Sequence, residues 1–247
     1  MRRLSNCFLL TVVFVGLLLL TKCDSSSDPE LTSSLSELKQ DVVQYFTEVA
    51  LGSENGNSSE IVRKWGTAMR IFVGGEDADP ELLAVLEETI TIINGLSTDG
   101  FEIDIVTDSI AANTYLYFGS RERYLDQFPN HEASLCGNLA LFYIWWQSDR
   151  IFQAQIFINV ETKTFTQQRS LILEEVTQSL GLGKDSLLYK ESIFYETSVD
   201  GGFAQDFADI DLELIRLLYN PRMRVGLDRN EVVALLSIIL LEEQENV

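Results

Sequence analysis

Histidine is almost absent from this chain, which has a single one, His131, among 247 residues. Histidine is the commonest metal ligand in proteins, and a catalytic zinc takes three protein ligands with one position left open for water. A zinc site built on three histidines is therefore excluded. A Cys–His hydrolase would need this same His131 to act with Cys136, and closeness in the sequence does not supply the required geometry.

Lysine and arginine are also scarce. The chain has 18 of them against 38 aspartates and glutamates, which gives a formal net charge of −20. Such a surface repels phosphate backbones and anionic lipid head groups, so we expect no nucleic-acid partner. The charge suits an exported soluble domain that attracts cations or basic partners.

Long hydrophobic runs are limited to the N-terminus. Residues 8–20 are apolar apart from Thr11 and Gly16, and Arg2 and Arg3 precede them. The run is too short for a comfortable transmembrane span and has the charge arrangement of an export signal. We interpret residues 1–22 as a signal peptide.

The residues that end this run resemble the lipobox of bacterial lipoproteins. The sequence LTKC ends at Cys23, which the resemblance makes the lipidated residue, although Lys22 stands where a small residue is usual. A polar tether follows over residues 24–30, as an anchored protein requires. The expected location is the bacterial cell envelope, with the membrane reached through Cys23. A plain signal peptide and an uncleaved anchor remain alternatives.

Cysteine is too rare for a disulfide framework. Cys7 would leave with the signal and Cys23 would carry lipid, so Cys136 would be alone in the mature chain. We expect Cys136 to be a packed small residue.

Hydrophobic periodicity predicts a domain that mixes helices and strands. Residues 23–59 would form the tether and an N-terminal helix, residues 60–225 the main domain and residues 226–247 a C-terminal helix. We expect residues 125–138 to be irregular. Helices are predicted over residues 32–51, 80–95, 166–180, 209–219 and 227–243, and strands over residues 69–73, 101–106, 113–118, 139–146 and 153–159.

Residues 172–185, with the sequence ILEEVTQSLGLGKD, resemble the active-site helix and turn of the metzincin metalloproteases, H-E-x-x-H-x-x-G-x-x-H followed by Asp. Positions four apart on a helix share one face, so both could point at one ion. The scaffold positions match, while all three histidine ligands are replaced. The positions of the pattern are occupied, in order, by Glu174, Glu175, Gln178, Gly181, Lys184 and Asp185.

Two further segments extend the resemblance. Residues 191–195 look like the Met-turn that floors the metzincin zinc site, with Phe194 in place of the methionine. Residues 65–73 and 216–223 are similar to segments of an uncharacterised family of exported bacterial proteins, in which Glu-Glu replaces His-Glu. The resemblance implies an α+β, zincin-like fold, with a twisted mixed sheet packed on helices, and implies no activity.

Three functions are compatible with these residues. A non-catalytic domain could hold a peptide or protein ligand along a sheet edge and need no cofactor. A divalent cation such as zinc, held by Glu174, Gln178 or Asp185, could instead serve a hydrolase with Glu175 as its general base. A structural envelope lipoprotein without a cleft is the third possibility. Glu174, Glu175 and Gln178 could also simply form the solvated face of an ordinary helix.

Other side chains have less specific interpretations. Asp104 and Asp108 could join Glu174, Glu175 and Asp185 in an oxygen-rich site that calcium would favour. Trp145 and Trp146 are expected to be core and edge residues, since tryptophan is mostly buried.

The lipidation hypothesis predicts that Cys23→Ser abolishes incorporation of labelled palmitate and moves the protein from the membrane fraction to the aqueous fraction, because the acyl chains supply the anchor. Cys7→Ser is the matched control and should leave both properties unchanged. Palmitate labelling that survives in Cys23→Ser would contradict the assignment.

Overall fold

The computed structural model describes residues 35–52, 59–76, 79–135, 138–161, 163–196 and 202–245. The predicted signal peptide, Cys23, the tether over residues 24–30 and Cys136 lie outside these residues. Among the residues described, no helix is both long enough and apolar enough to cross a membrane.

A single sheet organises the described part of the chain. Its strands run in the order β5–β6–β4–β2–β3, and the short β1 pairs with the start of β6. All neighbours are parallel except β5 and β6, which are antiparallel. The strands are β1 Lys64–Trp65, β2 Met69–Gly75, β3 Ile103–Val106, β4 Thr114–Gly119, β5 Ala140–Gln147 and β6 Arg150–Asn159.

The helices lie mainly on one face of this sheet. Helices α2 and α4 pack side by side there, while α1 and α5 contact each other and α1 also packs on α6. A 3-10 turn, Pro129–His131, follows α3. The helices in the described residues are α1 Glu37–Ala50, α2 Pro80–Leu96, α3 Arg121–Gln127, α4 Phe165–Gln178, α5 Asp209–Leu218 and α6 Arg229–Glu245.

Alternating side chains separate two cores. In β4, Leu116 and Phe118 enter the main core under the helices, whereas Tyr117 enters a smaller aromatic cluster that α3 and its 3-10 turn cover. The same alternation sends Phe142 of β5 into the main core and Leu141 into the aromatic cluster. This period of two is the one expected for strands that are buried on both faces.

The architecture is a mixed α/β fold with a mostly parallel sheet. The predicted mixed sheet is confirmed, but the label α+β gives way to α/β because strands and helices alternate through most of the chain. The period of a sequence pattern indicates that a segment is a strand, but it does not indicate the direction of that strand in the sheet. The parallel pairing therefore could not be predicted from it.

Two elements were not predicted. Helix α3 and its 3-10 turn occupy part of the segment that we expected to be irregular. The Ser120 side chain accepts a hydrogen bond from the Arg123 N–H and begins α3, and Pro129 stands at the first position of the turn. Strand β1 has only two residues, too few for a periodic pattern.

A buried polar network fixes the loop before α5. The Ser192 hydroxyl donates to one Asp211 carboxylate oxygen, and the Ile193 and Ala208 N–H groups donate to the other. The Tyr45 hydroxyl of α1 donates to Ser192 over 2.7 Å. Burial raises the pKa of Asp211 to about 6. The three hydrogen bonds that its carboxylate accepts lower this pKa, but burial has the larger effect.

Asp211 makes stability depend on pH. Its folded pKa of about 6 lies above the unfolded value of 3.8, so its contribution is complete below pH 3.8 and is lost as pH rises through 6. Between pH 4 and pH 7, we expect the free energy of unfolding of the wild type to fall by about 2 to 3 kcal/mol more than that of Asp211→Asn.

Urea unfolding at a series of pH values measures this difference. Asp209→Asn, which removes an exposed charge from the same helical turn, is the control and should follow the wild type. Parallel curves for the wild type and Asp211→Asn would contradict the role of Asp211.

Candidate functional site at the end of helix α4

Helix α4 carries the metzincin-like motif where the sequence predicts it. The helix begins at a capping box, in which the Thr164 side chain accepts from the Gln167 N–H and the Gln167 side chain accepts from the Thr164 N–H. It packs against β5 and β6, and its apolar side chains Leu171 and Val176 enter the main core. The helix therefore presents the motif beside the antiparallel edge of the sheet.

The motif side chains are not a solvated face. Glu175 is 7% exposed and Gln178 is 1% exposed, while Glu174 is half-buried. The alternative of an ordinary solvated face is therefore wrong for Glu175 and Gln178. Burial of polar groups is costly, so these positions are tied to a specific local structure.

Gly181 ends the helix in the conformation that the motif predicts. Its φ is +118°, and a Cβ placed there would lie 2.0 Å from the carbonyl oxygen of Arg63. Both the positive φ and the close approach require glycine. The turn thereby fixes the end of α4 against the backbone that leads into β1.

Two aromatic side chains satisfy the carbonyl groups at the end of α4. The indole N–H of Trp65 donates to the Ser179 oxygen and the hydroxyl of Tyr219 donates to the Leu180 oxygen, each over 3.0 Å. Burial raises the pKa of Tyr219 well above its ordinary value, so the hydroxyl stays protonated and able to donate. These bonds explain why the segments around Trp65 and Tyr219 accompany the motif.

Gln178 and Asp185 meet across the turn. The Gln178 amide nitrogen donates to Asp185 Oδ1 over 2.7 Å. This hydrogen bond joins the helix, at the second ligand position of the metzincin pattern, to the aspartate that follows the third ligand position. Lys184, at the third ligand position, is exposed.

This donor set does not fit a catalytic zinc. The Gln178 amide group is directed at Asp185, and the protonated amine of Lys184 would repel a dication. In the part of the chain that the structure describes, no three His, Cys, Asp or Glu residues form a group that could hold a metal ion. The general-base role of Glu175 stays a prediction.

The oxygen-rich cation site is not assembled either. Asp104 belongs to β3, at the edge of the sheet opposite β5, whereas α4 packs against β5 and β6. The width of the sheet therefore separates Asp104 from the α4 carboxylates.

The segment that resembles the Met-turn lies next to the motif. Ser186 forms an isolated parallel bridge with Tyr195, and the Ser186 N–H donates to the Phe194 oxygen over 2.8 Å. The Phe194 side chain is fully buried in the main core. Phe194 is therefore a core residue, and its role as the floor of a site stays a prediction.

Strand β5 leaves one edge of its backbone unpaired by any other strand in the described residues. The Asn159 N–H donates to the Leu139 oxygen, so this pair is hydrogen-bonded. Pairs alternate along an antiparallel ladder, which makes Phe142 and Ile144 non-hydrogen-bonded positions. Their N–H and C=O groups therefore point away from β6, toward the free edge.

A shallow depression lies beside this edge, with a volume of about 20 Å³, roughly the room for one or two water-sized atoms. The depression has no local signal in the sequence, because its walls come from four segments that are distant along the chain. It is lined by Ala50, Gly52, Arg63, Phe142, Ile144, Trp146, Gly181 and Gly183.

Trp145 and Trp146 end the edge strand. They are 38% and 43% exposed on the edge strand, so the expectation of an edge residue is confirmed and that of a core residue is wrong. A bulge between them leaves Phe152 of β6 without a partner in the register. Exposed aromatic side chains at a strand end are typical of recognition surfaces.

The fold and this geometry define a mixed α/β domain with a mostly parallel sheet and, in the described residues, an open edge at β5. Residues 39–238 match the family described as "Protein of unknown function (DUF2927)", and the chain belongs to that family. No curated protein matches the chain. Among solved structures the chain is similar to myroilysin, with a TM-score of 0.41 and 10% identity over 63% of this chain and 95% of that chain.

The Gly181 turn predicts a large effect of one methyl group. Gly181→Ala should lower the free energy of unfolding by about 3 kcal/mol, because the new Cβ overlaps the Arg63 carbonyl and the positive φ is strained. Urea unfolding measures the change. Gly95→Ala is the matched control, since that helical glycine has open space around it and should gain up to about 1 kcal/mol. Equal stability of the two variants would exclude the close contact.

Proposed function

We propose that this protein is an exported, lipid-anchored binding protein with a zincin-like domain that does not catalyse hydrolysis. In this proposal an extended peptide adds to the free edge of β5. The observation that carries it is the outward direction of the Phe142 and Ile144 backbone groups, beside a depression that their own side chains help to line.

Strand addition supplies affinity and selectivity from different groups. Main-chain hydrogen bonds hold any extended peptide, while pockets for alternate side chains select among sequences. Phe142 and Ile144 are two residues apart and share one face of β5, so a peptide strand beside them would project alternate side chains toward the depression. The Trp146 side chain adds an apolar wall to the depression.

The motif supports a scaffold role. The Gln178–Asp185 hydrogen bond joins the two chain segments that a metal would otherwise link, and Gly181 preserves the turn that shapes one wall of the depression. The replaced ligand positions therefore suit a domain that keeps the cleft geometry without the hydrolytic chemistry. An anchor at Cys23 would hold this edge at the envelope, where peptides and protein tails are exposed.

Ile144→Pro tests the strand-addition proposal. Proline removes the N–H at 144 that points to the free edge and leaves the β5–β6 hydrogen bonds in place, as an edge position allows. Peptides would be selected from a random-sequence display library on the wild-type protein, and their affinity measured by fluorescence anisotropy. We expect a loss of about tenfold or more, since one main-chain hydrogen bond and its neighbours are removed.

Ile144→Val is the matched control, because it keeps the N–H and shortens the side chain by one methylene. Hydrogen exchange should also show that a bound peptide protects the Ile144 amide in the wild type. Unchanged affinity in Ile144→Pro, or protection confined to other segments, would reject binding at this edge.

A further inference from the structure

Arg63 stands out among the side chains that line the depression. It is the one charged side chain among the described residues in the lining, and it is 8% exposed. A guanidinium group carries five N–H donors and no acceptor, and its charge is costly to bury without a close anion. The groups around Arg63 therefore decide how far its charge is neutralised.

The neighbours of Arg63 satisfy only part of this group. Nη1 and Nη2 donate to the carbonyl and hydroxyl oxygens of Ser59 at 3.2 and 2.9 Å, and both acceptors are uncharged. Among the described residues Nε has no hydrogen-bond partner, and its ion pair with Asp149 Oδ1 spans 3.9 Å, too long for a hydrogen bond. Burial lowers the pKa of Arg63 and Asp149 only opposes this effect, so the charge is incompletely balanced.

The position of the guanidinium is held by an aromatic ring. Its Cζ lies over the Trp146 ring, 4.7 Å from the centroid, and Trp146 also lines the depression. Stacking on the ring orients the plane of the guanidinium. The glycines at 52, 181 and 183 also line the depression and add no side chains to it.

We propose that the depression is a carboxylate-binding site in which Arg63 receives the carboxylate of a peptide laid along β5. The available room suits the two oxygens of a carboxylate, and a charge-assisted bond to an arginine fork is the strong form of such recognition. The carboxylate can come from an acidic side chain or from a peptide C-terminus. This inference rests on the proposed function for its peptide, while the anion site itself does not.

Acetate is the probe for the site alone. The full-length protein in detergent micelles, labelled with ¹⁵N-arginine, is titrated with sodium acetate and with sodium chloride at matched ionic strength. We expect a saturable shift of the Arg63 Nε–H signal with acetate only. The signal of Arg229, which forms an exposed ion pair with Glu60, is the internal control and should not saturate. An Arg63 signal that responds equally to both salts overturns the site.

Peptide pairs identify the source of the carboxylate. A selected peptide is compared with its C-terminal amide and with its Glu→Gln versions, against wild type, Arg63→Gln and Arg63→Lys. We expect one of these changes to weaken binding about tenfold in the wild type and less than about twofold in Arg63→Gln. Amidation identifies a C-terminal carboxylate, and Glu→Gln identifies a side chain. Arg63→Lys keeps the charge and should retain part of the discrimination if Arg63→Gln fails to fold.

The two proposals can fail separately. Acetate binding at Arg63 without peptide binding at β5 would reject the peptide-binding function and leave the anion site standing. Peptides that protect the Ile144 amide but bind Arg63→Gln as well as the wild type, with no loss on neutralising a carboxylate, would reject the role of Arg63 alone.

Discussion

The contact between Gly181 and the Arg63 carbonyl oxygen is the constraint on which the surrounding structure depends. It places the end of α4 directly against the backbone that enters β1, and it leaves no room for a Cβ at 181. The Trp65 and Tyr219 hydrogen bonds to the last carbonyl groups of α4 hold the same junction from two other segments. Residues far apart in the sequence thus converge on one helix end, and the edge of the sheet takes its shape from them.

At this junction, the residues that shape the turn of the metzincin-like motif can be distinguished from the residues at its ligand positions. Gly181 and the packed Phe194 serve the architecture and keep the positions that the motif predicts. The ligand positions depend on which chemical groups they carry, and there the Gln178 amide donates a hydrogen bond to Asp185 while Lys184 is exposed.

Much of the fold could be predicted from local patterns, and the candidate site could be predicted only in part. The apolar spacing of α4 and the alternation in β5 are local, so both were placed to within a few residues. Strand β1 has no periodic signal. Helix α3 has one signal in the sequence, the N-cap residue Ser120, which could have predicted where this helix begins. Arg63 could not be found from the sequence, because its importance comes from Trp146, which lies about eighty residues away along the chain, on β5.

The bulge at the end of β5 has a consequence for self-association. An open strand edge is a template on which two copies of a protein can pair, and regular edges carry the greatest risk of aggregation. Here the register shifts between Trp145 and Trp146, so a second identical edge could not continue a regular ladder past that point. The net charge of −20 adds repulsion between copies. The edge can therefore stay available to a strand from another protein, while pairing between two copies of this protein is disfavoured.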